Sequence, residues 1–221
     1  MTDDRRPIVD PAGLPAVGIA AVPALLAAVS GRRRAALGLA LLPAAVAAFF
    51  RDPDRRTDTH RAHESEVLSP ADGKVMHAGE PQEGVAPEGE WLQVAIFLSV
   101  FDVHINRSPA AGRVLQVAYR PGKWLAAYSA ASATENEVSE ITLEVPVAGS
   151  IRPLIFRQIV GLLARRVVTR VRPGDEVEAG ERIGLMKFGS RMDVFVPRDC
   201  TLEVCAGERV VAGETVIARW P

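Results

Sequence analysis

GDEVEAGERIG (174–184) and GERVVAGETVI (207–217) are two copies of one pattern, offset by 33 residues. In each, two glycines stand six apart, with a valine after the first and an apolar run after the second. Glycine in such places supplies the positive φ of a tight turn. Two hairpin units of this kind predict a small sandwich of short strands that closes on itself. The chain from about Thr57 has the same texture. VLSPADGKVMHAG, LQVAIFLSV, GRVLQVAY, ITLEV, IRPLIF, RIGLMKF, MDVFVP, TLEV and ETVIARW alternate with Pro-Gly, Asp-Gly and Ala-Gly pairs. This is strand-and-turn punctuation. RQIVGLLARRVV (157–168) is apolar enough to be helix or strand, and its periodicity alone does not separate the two.

Lipoyl and biotinyl carriers resemble this arrangement, and so does the barrel-sandwich part of several enzymes. The expected fold class is therefore mainly β, a barrel-sandwich hybrid, and the function stays open. Both chemistries meet in LMKFGSRMDVFVP (185–197). A carrier would hold biotin or lipoyl on Lys187, after Met186. Against this, a carrier lysine sits at the tip of an exposed hairpin, whereas Gly189 is the more natural turn residue here. A carrier module would also leave most of the chain unexplained. The alternative uses the Gly189–Ser190 bond. In a strained turn the serine hydroxyl attacks the preceding carbonyl, and the resulting ester undergoes β-elimination. The new N-terminus is then dehydroalanine, which hydrolyses to a pyruvoyl group. A non-catalytic, membrane-tethered binding module is the third reading.

The bulk composition narrows the partners. The 221 residues carry 26 basic and 27 acidic side chains, a formal charge of -1. That balance gives no general argument for nucleic acid, and 5% aromatics is too few for rows of base-stacking platforms. Cys200 and Cys205 are the only cysteines. They suit neither a disulfide framework nor a zinc site, so no metal is expected and both read as small packing residues in a reducing compartment.

The N-terminal fifth differs. Residues 11–31 and 35–50 carry no charge, Arg32–Arg34 separate them, and RDPDRR follows. A signal peptide fits poorly. One continuous span would bury the arginines at about 7–10 kcal/mol. Two true spans remain open, but the second arm is short and both flanks are basic. The preferred reading is an apolar helical hairpin that dips into one leaflet or lies in the interface, with all arginines on the cytoplasmic side. A buried helical pair is the soluble alternative. The expected domains are a membrane-associated segment, 1–56, and a main domain, 57–221.

Seven segments occur in order: FFRDPDR (49–55), LSPADGKV (68–75), FLSVFDVHINRSP (97–109), YRPGKW (119–124), ENE (135–137), RQIVGLLARR (157–166) and FGSRMDVFVP (188–197). As an ordered set they resemble the phosphatidylserine decarboxylase proenzymes, in particular the short bacterial and archaeal type. The resemblance covers the chain from about Phe49. HINRSP and FGSR are its more specific parts.

The resemblance implies self-cleavage between Gly189 and Ser190, giving a β chain 1–189 and an α chain 190–221. The two would stay together as a heterodimer, with a higher oligomer left open. Ser190 would become a covalent pyruvoyl cofactor, forming a Schiff base with the substrate amine and accepting the electrons freed by loss of CO2. The implied substrate is phosphatidylserine in the cell membrane, and the product phosphatidylethanolamine. An archaeal-type ether lipid with a serine headgroup would present the same groups. His104 would handle protons, and Asp72 would orient a histidine or assist cleavage. Longer members carry a second histidine three residues after the first. This chain has Arg107 there, so their cleavage relay does not carry over intact. Arg107, Lys123, Arg165 and Arg166 are candidates to meet the phosphodiester and carboxylate. Arg165 and Arg166 could equally rest on the lipid surface. His60, His63 and His77 are expected on the surface.

Overall fold

The computed structural model describes residues 8–55, 65–162, 167–187 and 189–221. The chain divides into two compact units, one ending at Asp54 and one beginning at Arg55. The expected boundary at 56/57 falls outside the described residues.

The first unit is a helical hairpin. A 3-10 turn at Pro11–Gly13 opens it, with the Asp10 carboxylate accepting from the Ala12 N–H at 2.9 Å. Helix α1 (Leu14–Val29) runs out, the chain reverses at Gly31, and α2 (Arg33–Leu39) and α3 (Leu41–Phe49) return against it. The base is closed by the Asp10 N–H donating to the Phe50 carbonyl and the Asp52 N–H to the Ile8 carbonyl, both at 2.8 Å. A single apolar core does not hold these helices: α1 buries no residue, and Ile19, Leu25, Leu26, Leu37, Leu41 and Leu42 are exposed. Pro11–Val29 spans 19 residues at a mean hydropathy of 2.1 and is long and apolar enough to cross a membrane by length and composition. The return arm is split at Ala40 into two short helices.

The second unit is mainly β. Its strands are β1 (Glu66–Leu68), β2 (Gly73–Gly79), β3 (Trp91–Leu98), β4 (Ile105–Arg107), β5 (Gly112–Arg120), β6 (Val138–Val147), β7 (Ser150–Ile159), β8 (Val168–Thr169), β9 (Glu176–Val177), β10 (Arg182–Leu185), β11 (Ser190–Pro197), β12 (Thr201–Leu202), β13 (Arg209–Val210) and β14 (Val216–Arg219). Eight form one antiparallel sheet in the order β13-β2-β3-β11-β7-β6-β5-β9, and β1-β14-β12 and β4-β10-β8 form two small ones. A short helix, α4 (Ser132–Glu135), precedes β6. The ambiguous run at 157–168 does not form a described helix: residues 157–159 complete β7.

The glycines of the repeat behave as its spacing requires. Gly174, Gly180, Gly207 and Gly213 all have positive φ, from 73° to 100°. The structure adds a second repeat, SPADGKV (69–75) and SPAAGRV (108–114). Ser69 and Ser108 each donate to the carbonyl two residues on, at 2.7 Å. The Gly213 N–H reaches the Ser69 carbonyl and the Gly180 N–H the Ser108 carbonyl, both at 2.8 Å. The second unit is thus two similar halves: β1–β2 with β13–β14, and β4–β5 with β9–β10.

Strand β11 alternates between two environments. Met192, Val194 and Val196 enter the main core with Val94, Ile96, Leu98, Leu154 and Phe156. On the other face Arg191 donates to both oxygens of Asp193, at 2.6 and 3.0 Å, and to the Gln82 side chain at 2.7 Å. Burial pushes the Asp193 carboxyl up from its ordinary value, and the Arg191 guanidinium pulls it partly back.

Cys200 lies in the core and Cys205 is exposed. Burial, with the nearby Asp199 carboxylate, pushes the Cys200 thiol up to about 11. At pH 8 only about one part in a thousand of Cys200 is then thiolate, the reactive form. A thiol reagent at pH 8 should therefore titrate one cysteine in the native protein and both after denaturation; two fast-reacting native thiols would contradict this.

Candidate active site

The site lies where β11 begins. Ser190, its first residue, pairs with Leu98 of β3, and the next residue, Arg191, pairs with both Phe97 and Ile159. The chain arrives from β10, which belongs to a different small sheet. The chain therefore passes from one sheet to another between β10 and β11, which do not pair as a hairpin. Lys187 is half-buried on this crossing, and its carbonyl faces the Ser190 hydroxyl at 3.5 Å. That geometry is unlike the exposed lysine a carrier requires.

Gly189 makes the turn into β11 with φ +69°, a conformation L side chains rarely adopt. Its N–H donates to His104 Nε2 at 3.3 Å. On the far side of the ring, His104 Nδ1 donates to the Asp102 carbonyl at 2.9 Å. These contacts require the tautomer with its proton on Nδ1, leaving Nε2 as the acceptor. The imidazole thus stands one peptide unit from the Gly189–Ser190 bond. Ser190 is fully buried and His104 is 2% exposed. The Met186 N–H also donates to the His104 carbonyl, at 3.1 Å, tying the crossing to the histidine's own backbone.

Asp102 was not among the sequence candidates. Its carboxylate accepts from the Ser99 N–H at 2.8 Å, the Ser99 hydroxyl at 2.6 Å and the Arg209 guanidinium. This stiffens the loop that aims its carbonyl at His104. The signal was only a carboxylate two residues before a histidine. Asp72, expected to orient a histidine, is engaged elsewhere. Arg55 grips it with two bonds of 2.5 and 2.6 Å, and the Ala212 N–H adds a third at 2.8 Å.

The other candidates separate in the same way. Arg107 is 5% exposed, donates to the Gly180 carbonyl at 2.9 Å and lies against the Gly213 turn, between the two repeat hairpins. Lys123 is exposed and paired with Glu135 at 2.5 Å. His77 is partly exposed and contacts the Glu80 carbonyl at 2.6 Å. Arg165, Arg166, His60, His63 and Phe188 lie outside the described residues.

Two further residues were missed. A Cβ on Gly161 would lie 1.8 Å from the Gly189 carbonyl oxygen, so only glycine fits against that carbonyl. Asn136 secures this approach. Its Nδ2 donates to the Val160 carbonyl at 2.8 Å and the Leu125 carbonyl at 2.9 Å, and its Oδ1 accepts from the Leu125 N–H at 2.9 Å. Both residues sat in quoted segments, RQIVGLLARR and ENE, but nothing local marked their roles. Beside the site, Thr169 donates to Gln158 and Gln158 to Asn106, each at 2.8 Å. The chain ends on Asn106 Nδ2, a buried donor with no partner among the described residues.

The site thus combines a buried hydroxyl, a preceding left-handed glycine, a carbonyl walled by backbone and an imidazole poised beside them. Residues 42–218 match the family model described as phosphatidylserine decarboxylase. The chain belongs to the phosphatidylserine decarboxylase family. Among similar curated proteins is the phosphatidylserine decarboxylase proenzyme of Symbiobacterium thermophilum, 45% identical with all of both chains covered. That of Solibacter usitatus is 47% identical over 171 residues, covering 77% of this chain and 76% of its own. That of Desulfotalea psychrophila is 39% identical over 207 residues, covering 94% of each. Membership makes this chain a decarboxylase.

Gly161→Ala must displace that carbonyl. Misplacement by about 1 Å can cost about 100-fold in rate. The variant is expected to release CO2 about 100-fold more slowly than wild type. Release at the wild-type rate would show that the contact does not matter.

Proposed function

We propose that the chain is a phosphatidylserine decarboxylase made as a precursor, which cuts itself between Gly189 and Ser190 and then works with a pyruvoyl group derived from Ser190. The observation that carries this reading is the His104 imidazole on the Gly189 N–H, one peptide unit from a buried serine hydroxyl.

Each step has a residue near it. Ser190 Oγ attacks the Gly189 carbonyl carbon, the peptide C–N bond breaks, and an ester and a free amine result. His104 Nε2 is the nearby base to accept the hydroxyl proton and return one to the leaving amine. Gly161 and the Asn136 clamp limit the movement of the carbonyl as it becomes tetrahedral. Removal of the Ser190 Cα proton then expels the Gly189 carboxylate, and water releases ammonia from the resulting dehydroalanine. The group left behind is made from Ser190's own carbons, so it fits where the serine fits. When present it supplies an electron sink for the carbanion left by loss of CO2. His104 would then hold the proton destined for the substrate Cα. Asn106 Nδ2 is a candidate donor to a headgroup oxygen; Arg107 and Lys123 stay candidates on charge alone. Arg165 and Arg166 stay candidates as charges toward the lipid.

The products would remain joined. All eight residues of β11, in the smaller chain, pair with β3, and five of them pair with β7, both in the larger chain. Strands β13 and β14 pair with β2 and β1. The helical hairpin would hold the enzyme on the cytoplasmic face of the cell membrane, peripherally or as a monotopic insertion, where the lipid is found.

Intact-mass analysis under denaturing conditions should give two chains divided at Gly189/Ser190, the smaller without a free amino group. Ser190→Ala should give one intact chain and no CO2 from phosphatidylserine. CO2 release by that variant would refute the pyruvoyl mechanism, and one chain with a biotin-sized adduct would favour a carrier.

A further inference from the structure

The second unit is chemically polarised along its strands. The register places the ends of β3, β5 and β7 and the starts of β6 and β11 together, through Leu98 opposite Ser190, Ile159 opposite Arg191 and Val138, and Arg120 opposite Val138. The loops 99–104 and 121–137, together with Gly189 and Val160, therefore all lie at one end of the sheet. This is the end that holds the site.

Exposed large apolar side chains concentrate there. Among the described residues the second unit exposes eight, and six belong to this end: Val100, Phe101, Tyr119, Trp124, Tyr128 and Leu162. Phe101 is 83% exposed, while Tyr128 leans edge-on against Phe97 with ring centroids 6.0 Å apart. The loops are held in place, since Asn136 fastens Leu125 to Val160, and Ser132 donates to the Ala127 carbonyl at 2.9 Å. The opposite end is charged. Its 80–90 hairpin carries Glu80, Glu83, Glu88 and Glu90, and Arg198 bridges Glu80 and Glu90 at 2.6 and 3.2 Å.

We propose that this aromatic end is a membrane-docking face belonging to the β unit itself, separate from the N-terminal hairpin, which seats the Ser190 site on the bilayer interface. A clustered apolar face of this kind marks an interaction surface. Trp and Tyr with polar tips favour the headgroup level of a bilayer. Arg120, exposed on the same end, suits an anionic lipid surface. The choice of a bilayer over a second copy of the chain rests on the lipid-substrate reading above. It also rests on the continuity of the face with the site.

The test uses the tryptophans of the full, matured chain. Trp91 and Trp220 are buried and Trp124 is 50% exposed, so Trp124 is the one of the three placed to enter lipid. The protein is bound to phosphatidylcholine–phosphatidylserine vesicles whose acyl chains are brominated near the headgroup, with binding verified by co-sedimentation. The expected result is loss of emission relative to unbrominated vesicles, absent in Trp124→Phe and reduced in Phe101→Ser. Bound protein with equal emission on both vesicles would overturn the proposal. So would a dimer in mild detergent that Phe101→Ser dissociates, which would assign the face to a second copy. CO2 release on the same vesicles separates the readings: quenching without CO2 sinks the decarboxylase reading alone, and CO2 without quenching sinks the docking face alone.

Discussion

Strand β11 pairs with β3 along its whole length and with β7 from Arg191, the residue after Ser190, to Phe195. Everything at the site depends on that double pairing. It immobilises Ser190 at the sheet's end while the residues before it cross from another sheet, so the backbone must turn sharply at Gly189. A left-handed glycine answers that demand without the steric cost a side chain would carry. On the proposed cleavage the same sheet would keep the two products together, because β11 pairs with β3 and β7.

The two similar halves of the β unit explain why the chemistry appears at only one place. In one half, Asp72 takes Arg55 and the Ala212 N–H; the matching position in the other half is Ala111. Leu68 in the first half corresponds to Arg107 in the second, and Arg107 fills the space between the Gly180 and Gly213 turns. The Arg107 side chain serves the junction between halves. His104 stands just before the second half begins, where β4 must pass β10 before the chain crosses into β11.

Much of this was legible in the sequence. The glycine-spaced repeat, the strand runs and the apolar hairpin all follow from local preferences and periodicity. Ser190, Gly189 and His104 could be picked out from ordered motifs, and the Gly189 N–H does reach His104 Nε2. Asp102, Gly161 and Asn136 could not. Asp102 acts through its carbonyl, which every residue possesses. Gly161 acts by lacking a side chain beside a carbonyl far along the chain. Asn136 acts by bonding two backbone segments that only the fold brings together. Asp72 was an orienting candidate by resemblance alone, and the partners it has here, Arg55 and Ala212, are remote in sequence.

By itself the sequence determined where strands and turns fall, that the N-terminal arms are apolar, and which bond sits in a glycine turn. These are set by φ preferences and by the alternation of apolar residues among near neighbours. Only the tertiary structure decided which groups touch. His104 and Gly189 are 85 residues apart, and their hydrogen bond exists because sheet register and one crossing bring both to the same end of β11. A shift of one residue in that register would turn Ser190 to the opposite face and leave the imidazole beside a different peptide.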